Sequence, residues 1–150
     1  MTKPPHAAPL RAMTLDTRIR DSFLAQGFLQ TMGATLDHVA PGAVHISVPL
    51  GPALTQQQGF AHGGVGFSIA DSAAGFSALT LVEAPDDVVT SDMTIHYLSP
   101  AIGDRLIARG TVLRPGRRML VTQADVYALR DGREVHAARL TGTMVRVTPR

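Results

Sequence analysis

Hydrophobic residues recur at helical spacing near the start of the chain and again in one long run at its centre. The first region spans residues 14–31, and its apolar positions are Leu15, Ile19, Phe23, Leu24 and Phe28. This spacing predicts an amphipathic helix that Thr14 or Asp16 can cap. The second region, Gly63 to Glu83, is apolar on nearly every side. We predict that it forms a long helix, which the rest of the fold must enclose.

Strand-like alternation accounts for most of the remaining chain. Two short apolar runs within residues 34–49 flank the turn residues Ala40-Pro41-Gly42, which predicts a hairpin. After the central helix, alternating runs cover residues 88–98, 105–113, 119–129 and 135–147. Tight turns at Pro115-Gly116 and Asp131-Gly132 separate the last three runs. The order predicts an α+β fold in which a curved antiparallel sheet wraps around the long central helix, preceded by an N-terminal helix.

The composition is that of one globular domain. Of 150 residues, 45% are hydrophobic and 17% are charged, which suffices for a core and leaves little length for a second module. Residues 1–12 contain three prolines and no apolar run, so we expect a flexible tail before a domain at residues 13–150. The chain has no cysteine, which excludes disulfides, thiolate zinc sites and a cysteine nucleophile and is compatible with a cytoplasmic location.

Charge and side-chain chemistry narrow the range of partners. The net charge is only +2, the basic residues are scattered and aromatic residues make up 5%, so we expect no nucleic-acid partner. The central apolar run contains Asp71 and several Gly, Ser and Thr residues, which favours a buried helix over a membrane span. We also predict no cofactor and no metal, because these histidines are too scattered to form a metal site: His6, His38, His45, His96 and His136.

Asp71 is the only ionisable residue between His62 and Glu83. A carboxylate in such apolar surroundings is costly unless it is paired, hydrogen-bonded or protonated. One explanation is structural: Asp71 caps a second helical stretch beginning at Ser72, or faces a solvated crevice. The explanation that we favour is that the carboxylate is functional.

The tripeptide His62-Gly63-Gly64 lies where the long helix should begin. Its backbone N–H groups would be unsatisfied donors at the positive end of the helix dipole, and the two glycines would let a carbonyl oxygen approach. Such a place suits an oxyanion. Taken alone, the tripeptide could equally be a turn that reverses the chain, and His62 could either order this turn or contact a substrate carbonyl.

Helix geometry separates the glycine turn from the aspartate. In a regular helix, Gly63 and Asp71 lie eight residues apart, or roughly 12 Å along the axis at about 1.5 Å per residue. One carbonyl group cannot touch both. The two can act together only if a second copy of the helix runs antiparallel beside the first, which gives a two-fold dimer with two sites. We therefore predict a homo-oligomer, at minimum a dimer, and an inactive monomer.

The segment QQQGFAHGGVGFSIADSAAGFSAL resembles the signature of the PaaI-type thioesterases of phenylacetic acid degradation. In that family an HGG turn opens the central helix of a hotdog fold, and an Asp follows nine residues after the His. The segment VTSDMTIHYLSPAIGDRLIARGTVLRPGRR is similar to the family's third and fourth strands, so the resemblance covers residues 20–147. It implies a single hotdog domain that hydrolyses acyl-CoA thioesters to a carboxylic acid and CoA, and a homotetramer built as a dimer of dimers.

The resemblance also assigns roles to residues. It implies that Asp71 is the catalytic carboxylate and that the Gly63 amide of the neighbouring subunit polarises the thioester carbonyl. Gln56 stands where relatives have an Asn that positions the water or the substrate, and Thr90 falls where a hydroxyl can hold the nucleophilic water. The resemblance also implies contacts with CoA or substrate for Gly64, Ser99, Pro100, Arg114, Gly116, Arg117 and Arg118. The guanidinium groups of the three arginines could pair with the phosphates of CoA.

Several alternatives stay open at this point. Asp71 can act as a general base or as a nucleophile. A hotdog hydratase would need an Asp and a His in one site, but His62 and Asp71 lie about 180° apart around a helix. A non-catalytic acyl-CoA binding protein is a further alternative, and the arginine-rich residues 114–118 could be a solvated hairpin end. The acyl group could be aryl, short or medium.

Overall fold

The computed structural model describes residues 14–149. The tail predicted at residues 1–12 lies outside the described residues. The α+β class and the predicted order of elements are confirmed. The elements are α1 Leu15–Ala25, α2 Gly27–Thr31, β1 Thr35–Ala40, β2 Ala43–Pro49, a 3₁₀ helix Pro52–Leu54, α3 Gly63–Leu79, β3 Asp87–Tyr97, β4 Arg105–Pro115, β5 Met119–Arg130 and β6 Arg133–Val147.

The predicted first helix is two helices rather than one. Thr14 caps α1, because its side-chain oxygen accepts a hydrogen bond from the N–H of Thr17 at 3.2 Å. Gln26 is extended, with φ −82° and ψ 94°, and its N–H donates to the carbonyl of Phe23 at 3.1 Å, which ends α1. The second helix then begins at Gly27. The sequence pattern did not predict this break, because apolar residues recur at helical spacing on both sides of Gln26.

The break changes which side chains are buried. Ile19 and Phe23 of α1 and Leu29 of α2 lie in the core. Leu24 and Phe28, which the pattern placed on the buried face, are each 63% exposed. Because the extended residue between the helices shifts the helical phase, a single apolar stripe does not continue from α1 into α2.

The six strands form one antiparallel sheet in the order β1-β2-β4-β5-β6-β3. The predicted hairpins are confirmed. Gly42 in the first turn, and Asp131 and Gly132 in the last, have positive φ, which glycine and aspartate tolerate better than most residues. In the last turn Arg130 pairs with Arg133, so the connection has two residues.

The central helix packs across one face of the sheet, against β2, β3, β4, β5 and β6. It ends at Leu79, short of the predicted end at Glu83. Thr80 is the C-cap residue, and its hydroxyl donates to the carbonyl of Ser77 at 2.6 Å and accepts from the N–H of Gly42 at 2.7 Å, which joins the end of the helix to the turn between β1 and β2. None of the helices in the described part of the chain is both long and apolar enough to cross a membrane.

One side of α3 is left partly uncovered by the other residues in the described range 14–149. Ten of its 17 residues are buried. A stripe at helical spacing keeps part of its surface exposed, and we call it the open face of α3: Gly64, Phe67, Ser68, Asp71, Ser72 and Gly75. The curved sheet covers the opposite side of the helix, as predicted, and the described residues leave this stripe partly exposed.

Strand β3 lies at the edge of the sheet, and β6 is its only partner among the strands of residues 14–149. It is 11 residues long, so its other side presents a long row of unpaired N–H and C=O groups. Val89 is 50% exposed and Tyr97 is 57% exposed. This edge and the open face of α3 are the two surfaces that the described chain leaves without a partner of its own near the predicted site.

Candidate active site

At the N-terminus of α3, the backbone amide of Gly63 is free of hydrogen bonds to the described residues. His62 caps the helix: it is extended, with φ −61° and ψ 135°, and its Nδ1 atom accepts a hydrogen bond from the N–H of Gly64 at 2.9 Å. The N–H of Val65 donates to the carbonyl of His62 at 2.9 Å. Within residues 14–149, the Gly63 N–H forms no hydrogen bond. This amide is therefore unpaired at the positive end of the helix dipole.

A tyrosine that the sequence pattern did not single out contacts the same turn. The hydroxyl of Tyr97 donates to the carbonyl of Gly63 at 2.8 Å. A Cβ atom at Gly63 would lie 3.0 Å from the Tyr97 hydroxyl oxygen, so the absence of a side chain makes room for this contact. Burial raises the pKa of Tyr97, which keeps the phenol protonated as a donor. The sequence held one indication of this role: Tyr97 places an aromatic ring with a polar hydroxyl on the same strand face as the apolar Met93 and Ile95.

A cavity of about 440 Å³ opens beside this amide, and we call it the glycine cavity. Its lining includes the predicted site residues Gln56, His62, Gly63, Ser99 and Pro100. Much of the remaining lining is apolar and includes Phe60, Gly66, Leu98, Leu106 and Val126. The volume lies in the range of about 300–1,000 Å³ that is usual for small-molecule sites. The cavity can therefore hold an apolar group next to the Gly63 amide.

Two polar side chains of the glycine cavity are engaged within the chain. The side-chain oxygen of Gln56 accepts from the N–H of Gln58, and its backbone N–H donates to the carbonyl of Phe60 at 2.8 Å. These bonds close the loop that precedes α3. The hydroxyl of Ser99 donates to the carbonyl of His136 at 2.8 Å. Gln56 and Ser99 thus shape the cavity, and a contact of either with substrate stays a prediction.

Asp71 lies in the middle of α3 and is half-buried. The helix is continuous through this position, so the hypothesis that Asp71 caps a separate helix beginning at Ser72 is wrong. The hydroxyl of Thr90 donates to Asp71 Oδ1 at 2.8 Å. Burial raises the pKa of the Asp71 carboxyl, and the hydrogen bond from Thr90 opposes part of that rise. The structure thus brings the carboxylate and the predicted water-holding hydroxyl together.

The two halves of the predicted site lie apart within one chain. Asp71 and Thr90 line a second cavity of about 150 Å³, which we call the aspartate cavity. It shares no lining residue with the glycine cavity in the described part of the chain. Gly64 lines neither of them but a third cavity that includes Ser68. This separation agrees with the spacing of roughly 12 Å along the helix between Gly63 and Asp71.

The residues predicted to contact CoA lie at opposite ends of the sheet. Ser99-Pro100 follows β3, where the N–H of Ser99 donates to the carbonyl of Ala137 at 3.3 Å. The arginine turn, residues 114–118, connects β4 and β5 at the end of the sheet near Met144. Ala137 and Met144 are seven residues apart in β6, or about 23 Å at about 3.3 Å per residue. One chain therefore does not bring the two groups together.

The arginine turn is sterically defined and open to solvent. A Cβ atom at Gly116 would overlap the carbonyl oxygen of Met119, so the turn requires glycine at this position. The side chains of Arg114, Arg117 and Arg118 are exposed, and none of the three forms an ion pair with another described residue. Their guanidinium groups are available to an anionic ligand.

The chain is similar to known thioesterases. The family model described as thioesterase superfamily matches residues 58–135. A thioesterase family protein from Silicibacter pomeroyi has a solved structure with a TM-score of 0.89 and 38% identity, covering 91% of this chain and 100% of that chain. Human acyl-coenzyme A thioesterase 13 is 29% identical over 119 residues, which is 78% of this chain and 84% of the human protein. A mutant of the phenylacetic acid degradation protein PaaI from Thermus thermophilus has a TM-score of 0.68 and 27% identity, covering 80% of this chain and 98% of that chain.

The fold and the signature of α3 define a hotdog-fold thioesterase of the PaaI type, as the resemblance predicted. The chain belongs to the thioesterase superfamily and is a thioester hydrolase. An enzyme of this class must stabilise negative charge on a thioester carbonyl and deliver water to its carbon. Among the described residues, the free Gly63 amide can donate a hydrogen bond to such an oxygen, and the Asp71 carboxylate can act as a base or as a nucleophile.

Proposed function

We propose that the protein hydrolyses acyl-CoA thioesters to free carboxylic acids and CoA, at sites formed between two copies of the chain. The observation that carries the proposal is the unpaired Gly63 amide, which lines the largely apolar glycine cavity. A thioester carbonyl in this position accepts a hydrogen bond from the amide while its acyl group occupies the cavity. The similarity to an acyl-coenzyme A thioesterase supports CoA as the thiol component.

The chemistry needs an oxyanion site and an attacking oxygen. The Gly63 N–H, reinforced by the dipole of α3, stabilises the negative charge that forms on the carbonyl oxygen. The Asp71 carboxylate either removes a proton from an attacking water or adds to the carbonyl itself, forming an anhydride that water then hydrolyses. In both routes the carbon–sulfur bond breaks and CoA leaves as the thiolate. The raised pKa of Asp71 makes its carboxylate a stronger base than that of an exposed aspartate.

The open face of α3 supports a dimer in which the two groups meet. Most of its side chains are small, so a second helix can approach it closely. Phe67 lies midway along the chain between Gly63 and Asp71. If two copies of α3 pack antiparallel about a two-fold axis near Phe67, then Asp71 of each subunit lies opposite Gly63 of the other.

The free edge of β3 supports the same symmetry. Two copies of an edge strand can pair antiparallel across a two-fold axis, which satisfies backbone groups that are otherwise unpaired. Thr90, which contacts Asp71, and Tyr97, which contacts Gly63, stand toward opposite ends of this strand. Pairing about the middle of β3, near Met93, sets Tyr97 of one subunit beside Thr90 of the partner subunit. The Tyr97–Gly63 contact of one subunit and the Thr90–Asp71 contact of the other then belong to one composite site.

The same dimer unites the predicted CoA contacts. The arginine turn lies at the aspartate end of the sheet and Ser99-Pro100 at the glycine end, so a two-fold axis between them brings the turn of one subunit toward Ser99-Pro100 of the other. We propose that Arg114, Arg117 and Arg118 bind the phosphates of CoA there. A contact of Gly64 with substrate, the pairing of dimers into a homotetramer and a cytoplasmic location stay predictions.

Thiol release from acyl-CoA thioesters tests the proposed activity. Wild-type protein and the Asp71→Asn variant are assayed side by side with acetyl-, hexanoyl-, decanoyl- and phenylacetyl-CoA, and the acid product is measured with the free thiol. We expect both products from the wild type and binding without hydrolysis from the variant. Hydration of an enoyl-CoA without thiol release would instead indicate a hydratase. Binding without either reaction would indicate an acyl-CoA binding protein.

A mixed dimer tests whether the site is shared between subunits. One chain carries Asp71→Asn, and the other carries Gly63→Pro, which removes the amide. Each variant homodimer lacks a complete site, whereas the mixed dimer has one complete site and one that lacks both groups. With two affinity tags for purification, we expect the mixed dimer to recover about half of the wild-type kcat per dimer. A mixed dimer as inactive as both homodimers would rule out the composite site.

Thr90→Val is expected to move the acid limb of the pH–rate profile to higher pH. The hydroxyl of Thr90 lowers the pKa of Asp71 against the larger effect of burial, so its removal leaves this pKa higher still. The ionised carboxylate is the active form in either mechanism, so the half-maximal rate moves in the same direction. Thr90→Ser keeps the hydroxyl and serves as the control. An unchanged midpoint in Thr90→Val would contradict the proposed role.

A further inference from the structure

Helix α3 contains a glycine that close packing does not explain. Gly66 is buried in the interior of the helix, where glycine is a poorer helix former than alanine. The nearest atom to a Cβ placed there would be Val126 Cγ1 at 4.0 Å, which is an ordinary contact. Gly110 of β4 differs, because a Cβ atom there would overlap the backbone of Ala73. Contact between helix and sheet therefore requires glycine at Gly110 but not at Gly66.

The space that Gly66 leaves empty belongs to the glycine cavity. Gly66 follows Gly63 by three residues, so the two lie on the same side of α3, one turn apart. The structure describes all of α3, and none of its residues after Gly66 lines the cavity. Leu106 and Val126 of the sheet also line it, and each is only 1% exposed. The cavity thus extends from the free amide, past Gly66, into the space between helix and sheet.

The chemistry of the lining selects among acyl groups. Among the described residues, none of those that line the glycine cavity is Asp, Glu, Lys or Arg. An acyl group that ends in a carboxylate would lose its hydration there without gaining an ionic partner, which is unfavourable. An apolar chain or ring would bury its surface against Phe60, Leu98 and Val126.

We infer that Gly66 sets the size of the acyl group, and that the substrates are apolar acyl groups larger than acetyl, either straight-chain or aryl. This inference rests on the proposed function, because it places the acyl group beyond a carbonyl bound at Gly63. A side chain at Gly66 fills the space that the distal part of the acyl group occupies. Short acyl groups do not reach that space.

Gly66→Ala and Gly66→Val test this inference when kcat/KM is measured for acetyl-, butyryl-, hexanoyl-, decanoyl-, phenylacetyl- and succinyl-CoA. We expect wild-type protein to favour the larger apolar groups over acetyl and succinyl. One methyl group in an apolar pocket changes discrimination by about 10- to 200-fold, so Gly66→Ala should lower kcat/KM for the larger groups by at least about tenfold relative to acetyl. Gly66→Val should extend the loss to shorter chains.

Two further variants separate lost space from lost structure. Gly27→Ala adds a methyl group in open space in α2, outside the cavity, and should keep the wild-type profile. Val126→Ala in the Gly66→Val background returns space from the opposite wall and should restore part of the activity on larger groups. Thermal unfolding should show no loss of Tm in Gly66→Ala, because alanine is the better helix former.

The outcomes distinguish this inference from the function on which it rests. If the wild type releases no thiol from any acyl-CoA, the proposed function fails and the inference fails with it. If the wild type is active but Gly66→Ala has an unchanged profile, or loses activity equally on every acyl group, the inference alone is overturned. A selective loss on the larger groups, with partial recovery by Val126→Ala, supports it.

Discussion

Gly63→Pro is expected to lower kcat for thioester hydrolysis by about a hundredfold to a thousandfold, the usual effect of removing one oxyanion donor. Proline is favoured at the first position of a helix, where its missing N–H has no helical partner. His62 is extended, with ψ 135°, which is the conformation that a residue before proline adopts. The variant therefore removes the amide with little cost to the helix, and kinetics and thermal unfolding together measure both effects.

The matched control for this variant is Gly63→Ala. Alanine keeps the amide but adds the Cβ atom that would lie 3.0 Å from the hydroxyl oxygen of Tyr97, so both variants displace this side chain. We expect Gly63→Ala to lose far less activity than Gly63→Pro. Equal losses would mean that the displacement of Tyr97, rather than the missing amide, slows the reaction, and the oxyanion role of Gly63 would have to be abandoned.

Asp71→Asn is expected to lower kcat by at least about a hundredfold, because it removes the proposed base or nucleophile, and yet to raise Tm at neutral pH. Burial raises the pKa of Asp71 in the folded protein, so stability from this group is present in acid and is lost as pH rises through that pKa. Asparagine carries no charge and can still accept the hydrogen bond from Thr90. The gain in Tm should therefore shrink as the pH is lowered.

Asp131→Asn is the control for a general effect of losing a carboxylate. The Asp131 side chain is 87% exposed in the turn between β5 and β6, and asparagine tolerates its positive φ equally well. We expect wild-type kcat and Tm for this variant. If Asp71→Asn instead kept the wild-type rate, Asp71 would be neither base nor nucleophile, whatever the change in Tm.

Local sequence patterns were enough to predict the order of elements and the hairpins. Alternation fixes which residues of a strand share a face, and turn residues such as Asp131-Gly132 mark where strands reverse. The break at Gln26 was not predictable in this way, because apolar residues recur at helical spacing on both sides of it. The open face of α3 was missed for a related reason: glycine and serine in an apolar run do not indicate whether another part of the chain covers them.

The site was predictable only where one residue differs sharply from its neighbours. Asp71 is the only ionisable residue in a long apolar segment, so the sequence alone marks it as a candidate functional residue. The roles of Gly63, Gly64 and Gly66 could not be separated in the same way, because three glycines within four positions look alike in a sequence. In the structure the Gly63 amide is free, the Gly64 amide donates a hydrogen bond to His62, and Gly66 leaves space between the helix and the sheet.

The contact between Gly110 and Ala73 divides α3 into two parts with different freedom to change. Around Ala73 the helix rests directly on the backbone of β4, so even a methyl group at Gly110 would force the two elements apart. Around Gly66 the helix spans a cavity, where a methyl group meets only ordinary contacts. Substitutions near Gly66 could therefore change the substrate preference without moving the part of the helix nearer to Asp71, which its contact with β4 holds in place.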